Sequence, residues 1–386
     1  MAVAKMARFS LPFISIPPRH DRAPNSAAVA RNPGSKRNGA RPTLRPLVFH
    51  FHHGLPMTHA ITLHAGLSNM RPGLARLREL FKLKLRARLQ QRPTDTWLQL
   101  LNSHPAFREL LQAYPRMMHK VYRHYLSKSL TCRQRVDLLA DHYRFILQQG
   151  WGKLMVQAAQ GEVLLCSLPG KSGVPYHLHL SSLFRMDREG EIVLQLSHGD
   201  DLIYTVVFSF FGCRTRAPME TGVRIGCIQG PKGAEGLRRV RDVTRDLHGL
   251  RPKFLMIRLV RQLAWEHGFR KMIMVGNQNR AVHHLAKKKG VLLADYDATW
   301  QELGALARHD GDFELPCENL PAPVMEEIAS KKRSETRKRH ELTLAMIASL
   351  RQGFEAHASA VQVAPPGTAQ AANDTEHRLA DHAAVA

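Results

Sequence analysis

Residues 267–290 read HGFRKMIMVGNQNRAVHHLAKKKG, and the fold class turns on this stretch. An amphipathic helix ends at His267-Gly268, and the apolar residues Met272 to Val275 follow as a short strand. A polar Asn-Gln-Asn corner then opens a second helix over about 280 to 289. A strand held between two helices is a unit of mixed α and β structure. The flanking sequence must therefore supply a sheet for it to join.

That sheet is written immediately upstream. Between Gly152 and Gln229 the apolar period is two, as in YHLHLSSLF, EIVLQLSH and LIYTVVFSFFG, with Pro-Gly, Glu-Gly and Gly-Asp turns between the runs. The pattern predicts an antiparallel sheet of about five or six strands. Helices are predicted at about 234 to 247 and 252 to 267, then the strand at 272 to 275, and a last strand near VLLADYD. Upstream again, LARLRELFKLKLRARL, WLQLLNSHPAFRELLQAY and CRQRVDLLADHYRFILQQ repeat apolar residues at steps of three and four. They predict three or four helices, with breaks at Pro93, Pro105 and Pro115. The expected organisation is a disordered basic leader over 1–70, a helical subdomain over 71–150 and an α+β domain over 151–317. A basic helix over 318–352 and a loose tail over 353–386 complete it.

Composition restricts the partners. Lys and Arg number 56 against 32 Asp and Glu, a formal charge of +24, while the hydrophobic fraction of 44% is ordinary. Such an excess points to an anionic partner: nucleic acid, acidic lipid or an acidic carrier protein. Charge carried by unfolded termini would weaken that inference. Cys132, Cys166, Cys213, Cys227 and Cys317 lie far apart without a C-x-x-C pair, which argues against a disulfide framework or zinc ribbon and for a reducing cytoplasm. No run of about 18 apolar residues suggests a membrane span. The N-terminal apolar patch, broken by Pro12, Pro17 and Pro18, makes a poor secretory signal. The histidines at 50, 52, 53, 59 and 64 match no metal-ligand spacing.

Several motifs carry chemistry or imitate it. SLPGKSG at 167–173 ends like a phosphate loop, but strands flank it on both sides, so it is read as a hairpin loop. IGCIQGPKGAEG at 225–236 runs a strand into a helix through Gln229, Gly230, Lys232 and Gly233. Free amides at a helix start, beside a lysine, can hold an anion, although glycine also serves such turns for steric reasons. In HGLRPKF, Arg251 and Lys253 stand at the next helix start, against its dipole, an arrangement that an anion between them would explain. His248 reads either as a general base beside that seat or as a capping or core histidine. Lys287, Lys288 and Lys289, and Lys331, Lys332 and Arg333 within Lys331 to His340, are candidate contacts to nucleic-acid or lipid phosphate, or else solvated helix faces. The carboxylates of HDGDFE at 309–314, with Asp295, Asp297 and Glu302, read as turn and surface residues.

Taken in order, VYRHYLSKSLTCRQRVDLLADHYRFI, IGCIQGPKG, LHGLRPKFLMIRLVRQLA, ADYDATWQELGA and EEIASKKRSETRKRHELT resemble the VirK/YbjX family of bacterial proteins, built around one domain of unknown function. The resemblance covers about residues 72 to 350. It implies links to virulence, envelope phenotypes and resistance to antimicrobial peptides, with no settled activity.

Phe254 to Gly290 also resembles the acyl-CoA-binding core of the GNAT N-acyltransferases, on its order of helix, strand, asparagine and helix. That second resemblance implies an acyltransferase or acyl-donor-binding protein using acyl-CoA or an acyl carrier protein, with Asn277 or Asn279 positioning donor or acceptor. Arg251-Pro252-Lys253 stands where the superfamily has glycines, and Ala286 where it commonly has an acidic tyrosine. A non-enzymatic, basic regulatory protein that binds nucleic acid or anionic lipid is the alternative reading.

Overall fold

The computed structural model describes residues 60–181, 186–212, 220–283 and 294–358. The helical segment supplies α1 (Leu74–Leu89), α2 (Gln91–Leu101), α3 (Ala106–Ala113) and α4 (Cys132–Gln148). Pro93 stands in the first turn of α2, Pro105 caps α3, and Pro115 opens a 3-10 turn after it, so all three prolines sit where helices begin. The start of α4 is fixed by a capping box: Gln134 N donates to the Thr131 hydroxyl at 3.3 Å, and Thr131 N donates to the Gln134 side chain at 2.9 Å. Its buried residues, among them Val136, Leu139, Tyr143 and Ile146, recur at helical spacing.

The expected change of period comes slightly late. Residues 152–162 do not open the sheet; Gly152–Gln160 form α5, whose apolar residues cluster on one helical face instead of alternating. Five strands then follow: β1 (Val163–Pro169), β2 (Pro175–Ser181), β3 (Ile192–His198), β4 (Asp201–Phe211) and β5 (Gly222–Gln229). All neighbours among them pair antiparallel. SLPGKSG is the β1–β2 hairpin loop, as expected. From β5 the chain passes through α6 (Gly233–Asp246) and α7 (Pro252–Glu266) to β6 (Lys271–Met274), which lies parallel to β5.

The end of the sheet departs from expectation. Residues 284–293, which hold most of the helix anticipated after the Asn-Gln-Asn corner, lie outside the described residues. The first three residues of VLLADYD, where a last strand was expected, also lie outside the described residues; its end enters α8 (Tyr296–Glu302), where the Asp295 carboxylate accepts from Ala298 N and caps the helix. Two short strands, β7 (Leu306–Ala307) and β8 (Phe313–Pro316), complete the order β1-β2-β3-β4-β5-β6-β8-β7. The fold is thus α+β, with one mostly antiparallel sheet containing a single parallel pair among the described strands.

The long α9 (Ser330–Ala356) closes the described chain. Its last turns pack on β1, where a β-carbon on Gly353 would lie 2.3 Å from the Leu165 carbonyl oxygen; glycine lets the helix approach the strand. One continuous apolar core runs from Leu83 of α1 through α4, the sheet and α7 to Phe354 of α9. The helical segment and the sheet are therefore two layers of one core.

A charged group sits inside that core. Lys120, 1% exposed, donates to Glu191 Oε1 at 2.6 Å, and Glu191 is fully buried. The Tyr143 hydroxyl donates to Glu191 Oε2 at 2.5 Å, and Glu191 N donates to Ser209 Oγ at 3.0 Å. The Lys120 ammonium also lies over the Tyr125 ring, 5.5 Å from its centroid. These contacts join the segment before α4, α4 itself and β4 through a single residue immediately before β3, its carboxylate serving the helical side and its backbone N–H serving β4.

Candidate anion-binding site

Sequence reasoning places candidate residues just after β5 (Gln229 to Gly233), at the start of α7 (Arg251 and Lys253) and just after β6 (Asn277 and Asn279); the structure makes β5 and β6 a parallel pair. Pairing stops at Ile225 with Met274, extended only by Val275 N donating to Ile225 O at 3.0 Å. Beyond it the Tyr296 hydroxyl takes the place of a strand partner. It accepts from Ile228 N at 3.0 Å and donates to Ile228 O at 2.8 Å. The Arg280 guanidinium stacks on the same ring, 3.8 Å from its centroid.

Glu189 and Cys227 lie beneath this plug, 6% and 3% exposed. Burial raises the Glu189 carboxyl to about 7, with nearby Arg280 pulling it partly back, and burial pushes the Cys227 thiol up. Gly226 allows the stacking: a β-carbon there would lie 2.0 Å from the Glu189 carbonyl oxygen. Above, Leu126 N donates to Arg188 O and Lys128 N to Asn279 O, each at 2.7 Å. The crevice is packed with the chain's own groups.

The two asparagines are likewise committed internally. Asn277 donates to Asp295 Oδ1 at 2.7 Å and accepts from Tyr296 N at 2.8 Å, which orients α8. Asn279 donates to Asp310 O at 2.7 Å and to Asp312 Oδ1 at 2.9 Å. Asp312 is no surface residue. It is 1% exposed and lies 3.2 Å from the Arg224 guanidinium, so the reading of HDGDFE as surface carboxylates is corrected here.

The two anion seats expected around α6 do not converge. Gln229, Gly230, Lys232 and Gly233 sit at its start, whereas Arg251 and Lys253 follow its end; 14 helical residues span about 21 Å. Arg251 and Lys253 both reach Glu302 of α8, at 2.6 and 2.7 Å, and both lie over the Phe254 ring. An internal carboxylate, not a bound anion, answers the two cations at that helix start. His248 has φ +53 and its carbonyl accepts from Arg339 Nε at 2.9 Å, so its backbone ties the end of α6 to α9. Lys331, Lys332 and Arg333 are exposed on the first turn of α9, and Lys287, Lys288 and Lys289 lie outside the described residues.

Open space with unbalanced charge occurs elsewhere, between α7 and α9. A cavity of about 280 Å³ is lined there by Arg258 and Arg261 of α7 and by Arg339 and His340 of α9, with Leu320, Pro321 and Pro323 as an apolar wall. Arg261 donates to Pro316 O at 2.6 Å and pairs with Glu318 at 3.1 Å. Among the described residues Arg258 has neither a hydrogen bond nor an ion pair. Arg258 is exposed, and partial desolvation with the like charges of Arg339 and Arg261 holds its guanidinium below the ordinary value. Gln262 fixes the wall by donating to Asn319 Oδ1 and accepting from Leu320 N. Three guanidiniums therefore line this cleft beside one carboxylate, Glu318. Sequence reasoning included Arg339 and His340 in a basic run but missed Arg258 and Arg261. The signal was a pair of arginines, three apart, in the mostly apolar middle of a helix.

An α+β chain of this architecture, with a basic cleft and a plugged parallel crevice, matches the family described as "Protein of unknown function (DUF535)" over residues 72–352. The chain belongs to that family. It is 29% identical over 281 residues to the "Uncharacterized protein YbjX" of Escherichia coli, covering 70% of this chain and 83% of that one. An "Uncharacterized protein" of Haemophilus influenzae is 25% identical over 284 residues, 70% of this chain and 88% of that one. "Membrane protein LapB" of Mannheimia haemolytica is 25% identical over 198 residues, 50% of this chain and 80% of that one. No solved structure matches. Among the described residues no helix is long and apolar enough to cross a membrane.

Proposed function

We propose that the protein binds a phosphate-bearing ligand in the cleft between α7 and α9 and holds it without transferring a group from it. The observation that carries this reading is the unpaired Arg258 guanidinium, crowded by Arg261 and Arg339 around an open cavity. An anion there would relieve the mutual repulsion of the three cations. The ligand class we favour is an acyl donor, coenzyme A or the phosphopantetheine of an acyl carrier protein. Leu320, Pro321 and Pro323 give the cleft an apolar side beside its arginines. The order of α7, β6 and the following asparagines is also the layout on which the acyltransferase resemblance rests.

Binding is favoured over transfer because the Tyr296 hydroxyl occupies both polar groups of Ile228 and because Asn277 and Asn279 are committed to α8 and β8 neighbours. Among the described residues Cys132, Cys166, Cys227 and Cys317 are free thiols, which favours a reducing compartment, the bacterial cytoplasm. The virulence and envelope phenotypes implied by the family resemblance would then follow from sensing or sequestering such a donor.

Native mass spectrometry of the full chain with coenzyme A, acyl-CoA and acyl carrier protein tests this reading. A one-to-one complex is expected, weakened at least about a hundredfold by Arg258→Glu with Arg339→Glu, since each removed charge-assisted contact contributes about 1.5–3 kcal/mol. A complex that the double variant leaves intact would refute the site. A second reading has Lys331, Lys332 and Arg333 binding nucleic acid or anionic lipid, favoured by their exposure on the same helix as Arg339. It requires that reversing those three charges weaken RNA, DNA or vesicle binding and flatten its salt dependence.

A further inference from the structure

The sequence pattern of LARLRELFKLKLRARL predicts a helix, and α1 is one, but its apolar residues divide between two opposite faces. Leu83 and Ala87 are buried against the body, and the Thr94 hydroxyl donates to Ala87 O at 3.3 Å. Leu74, Leu77, Phe81, Leu85 and Leu89 are 85, 62, 68, 47 and 71% exposed. At about 100° per residue these five fall within an arc of roughly 120°, centred opposite Leu83. A solvated helix face would be polar; this one exposes five large apolar side chains along the helix, with only Arg78 and Arg88 among them.

The charges around the ridge identify what fits it. α1 carries Arg76, Arg78, Lys82, Lys84, Arg86 and Arg88 against Glu79 alone, and Glu79 already pairs with Lys82 at 2.9 Å. Lys82 and Lys84 lie on the two borders of the apolar arc, and Arg78 and Arg88 rise within it. Long cationic side chains placed there can lay their stems along an apolar phase while their heads stay at its surface. The chain's own N-terminal segment is a poor match for this face. Residues 1–59 contain nine Lys and Arg against Asp21 alone, a charge of the same sign as that of α1. A second copy of α1 would bring like charge against like charge in the same way.

We propose that α1 is a membrane-docking element, which lies in the interfacial plane of an anionic bilayer with Leu74, Leu77, Phe81, Leu85 and Leu89 among the acyl chains and its basic residues among the headgroups. It anchors the protein peripherally. The proposal uses residues remote in sequence from the α7–α9 cleft and stands whether or not that cleft takes a ligand.

Co-sedimentation of the full chain with vesicles of phosphatidylcholine alone, and with a third phosphatidylglycerol, tests it. Binding to the anionic vesicles is expected, at least about tenfold stronger than to the neutral ones, and weakening with salt. Phe81→Ser with Leu85→Ser should lower it at least about tenfold. Both side chains are exposed, so the variant's melting temperature should stay that of the unaltered protein, which separates lost docking from lost folding. Anionic-vesicle binding that survives the double variant would overturn the proposal. So would the absence of vesicle binding together with a dimer that the double variant dissociates, because the ridge would then join two copies.

Discussion

Glu191→Ala should destabilise the protein by about 3–5 kcal/mol, the range for removing one partner of a buried ion pair. The substitution strands the Lys120 ammonium, 1% exposed, without its 2.6 Å partner, and removes the acceptor of the Tyr143 hydroxyl. Burial already pulls Lys120 below its ordinary value, with Glu191 opposing that pull. Without the carboxylate, Lys120 must fold neutral or draw in water. Lys120→Met in the same background should recover a large part of the loss, since an apolar chain of similar length leaves no unpaired charge. Urea denaturation of the two variants measures this. A Glu191→Ala cost below about 1 kcal/mol would show that the pair does not join the helical layer to the sheet as described.

The second large effect depends on pH. Glu189 ionises near its ordinary value of 4.5 when unfolded and at about 7 when folded, burial being the main cause and Arg280 the main opposing one. A carboxyl raised in the native state makes folding take up a proton between those values. Its contribution is fully present below pH 4.5 and is lost as pH rises through about 7, a swing of about 3 kcal/mol. Glu189→Gln keeps the shape and removes the titration. The variant should match the unaltered protein near pH 4.5 and exceed it by up to about 3 kcal/mol at pH 8, as read from urea midpoints across that range. Parallel pH profiles for the two proteins would mean that Glu189 is already ionised in the native state.

What could be read in the sequence was local. The helical period of α4, the β1–β2 hairpin behind a misleading Gly-Lys-Ser, and α6, α7 and β6 all follow from spacing and turn chemistry within about 20 residues. What escaped were partnerships between distant segments. Arg258 and Arg339 lie 81 positions apart on different helices, and nothing in either helix announces the other. Glu191 follows an ordinary Glu-Gly turn, and only the three-dimensional arrangement brings Lys120 and Tyr143 to it. Asp312 looked like a surface turn because the Arg224 that neutralises it belongs to β5. The apolar residues of α1 carry the right period for a core, and period alone does not say which of two apolar faces meets the body. The candidate donor seats at Gly230 and at Arg251 were each plausible locally. The length of α6 and the carboxylate of Glu302 decide against their acting as one seat.

The central claim is that Arg258, Arg261 and Arg339 form a seat for phosphate. Its most direct measurement is the melting temperature of the full chain against inorganic pyrophosphate concentration, run beside Arg258→Glu at constant ionic strength. A ligand that binds only the folded state stabilises it as the logarithm of its concentration once the site is saturated. The melting temperature of the unaltered protein should therefore climb steadily with pyrophosphate, while that of the variant stays flat. Equal slopes, or no slope in either protein, would contradict the assignment of the cleft between α7 and α9 as an anion-binding site.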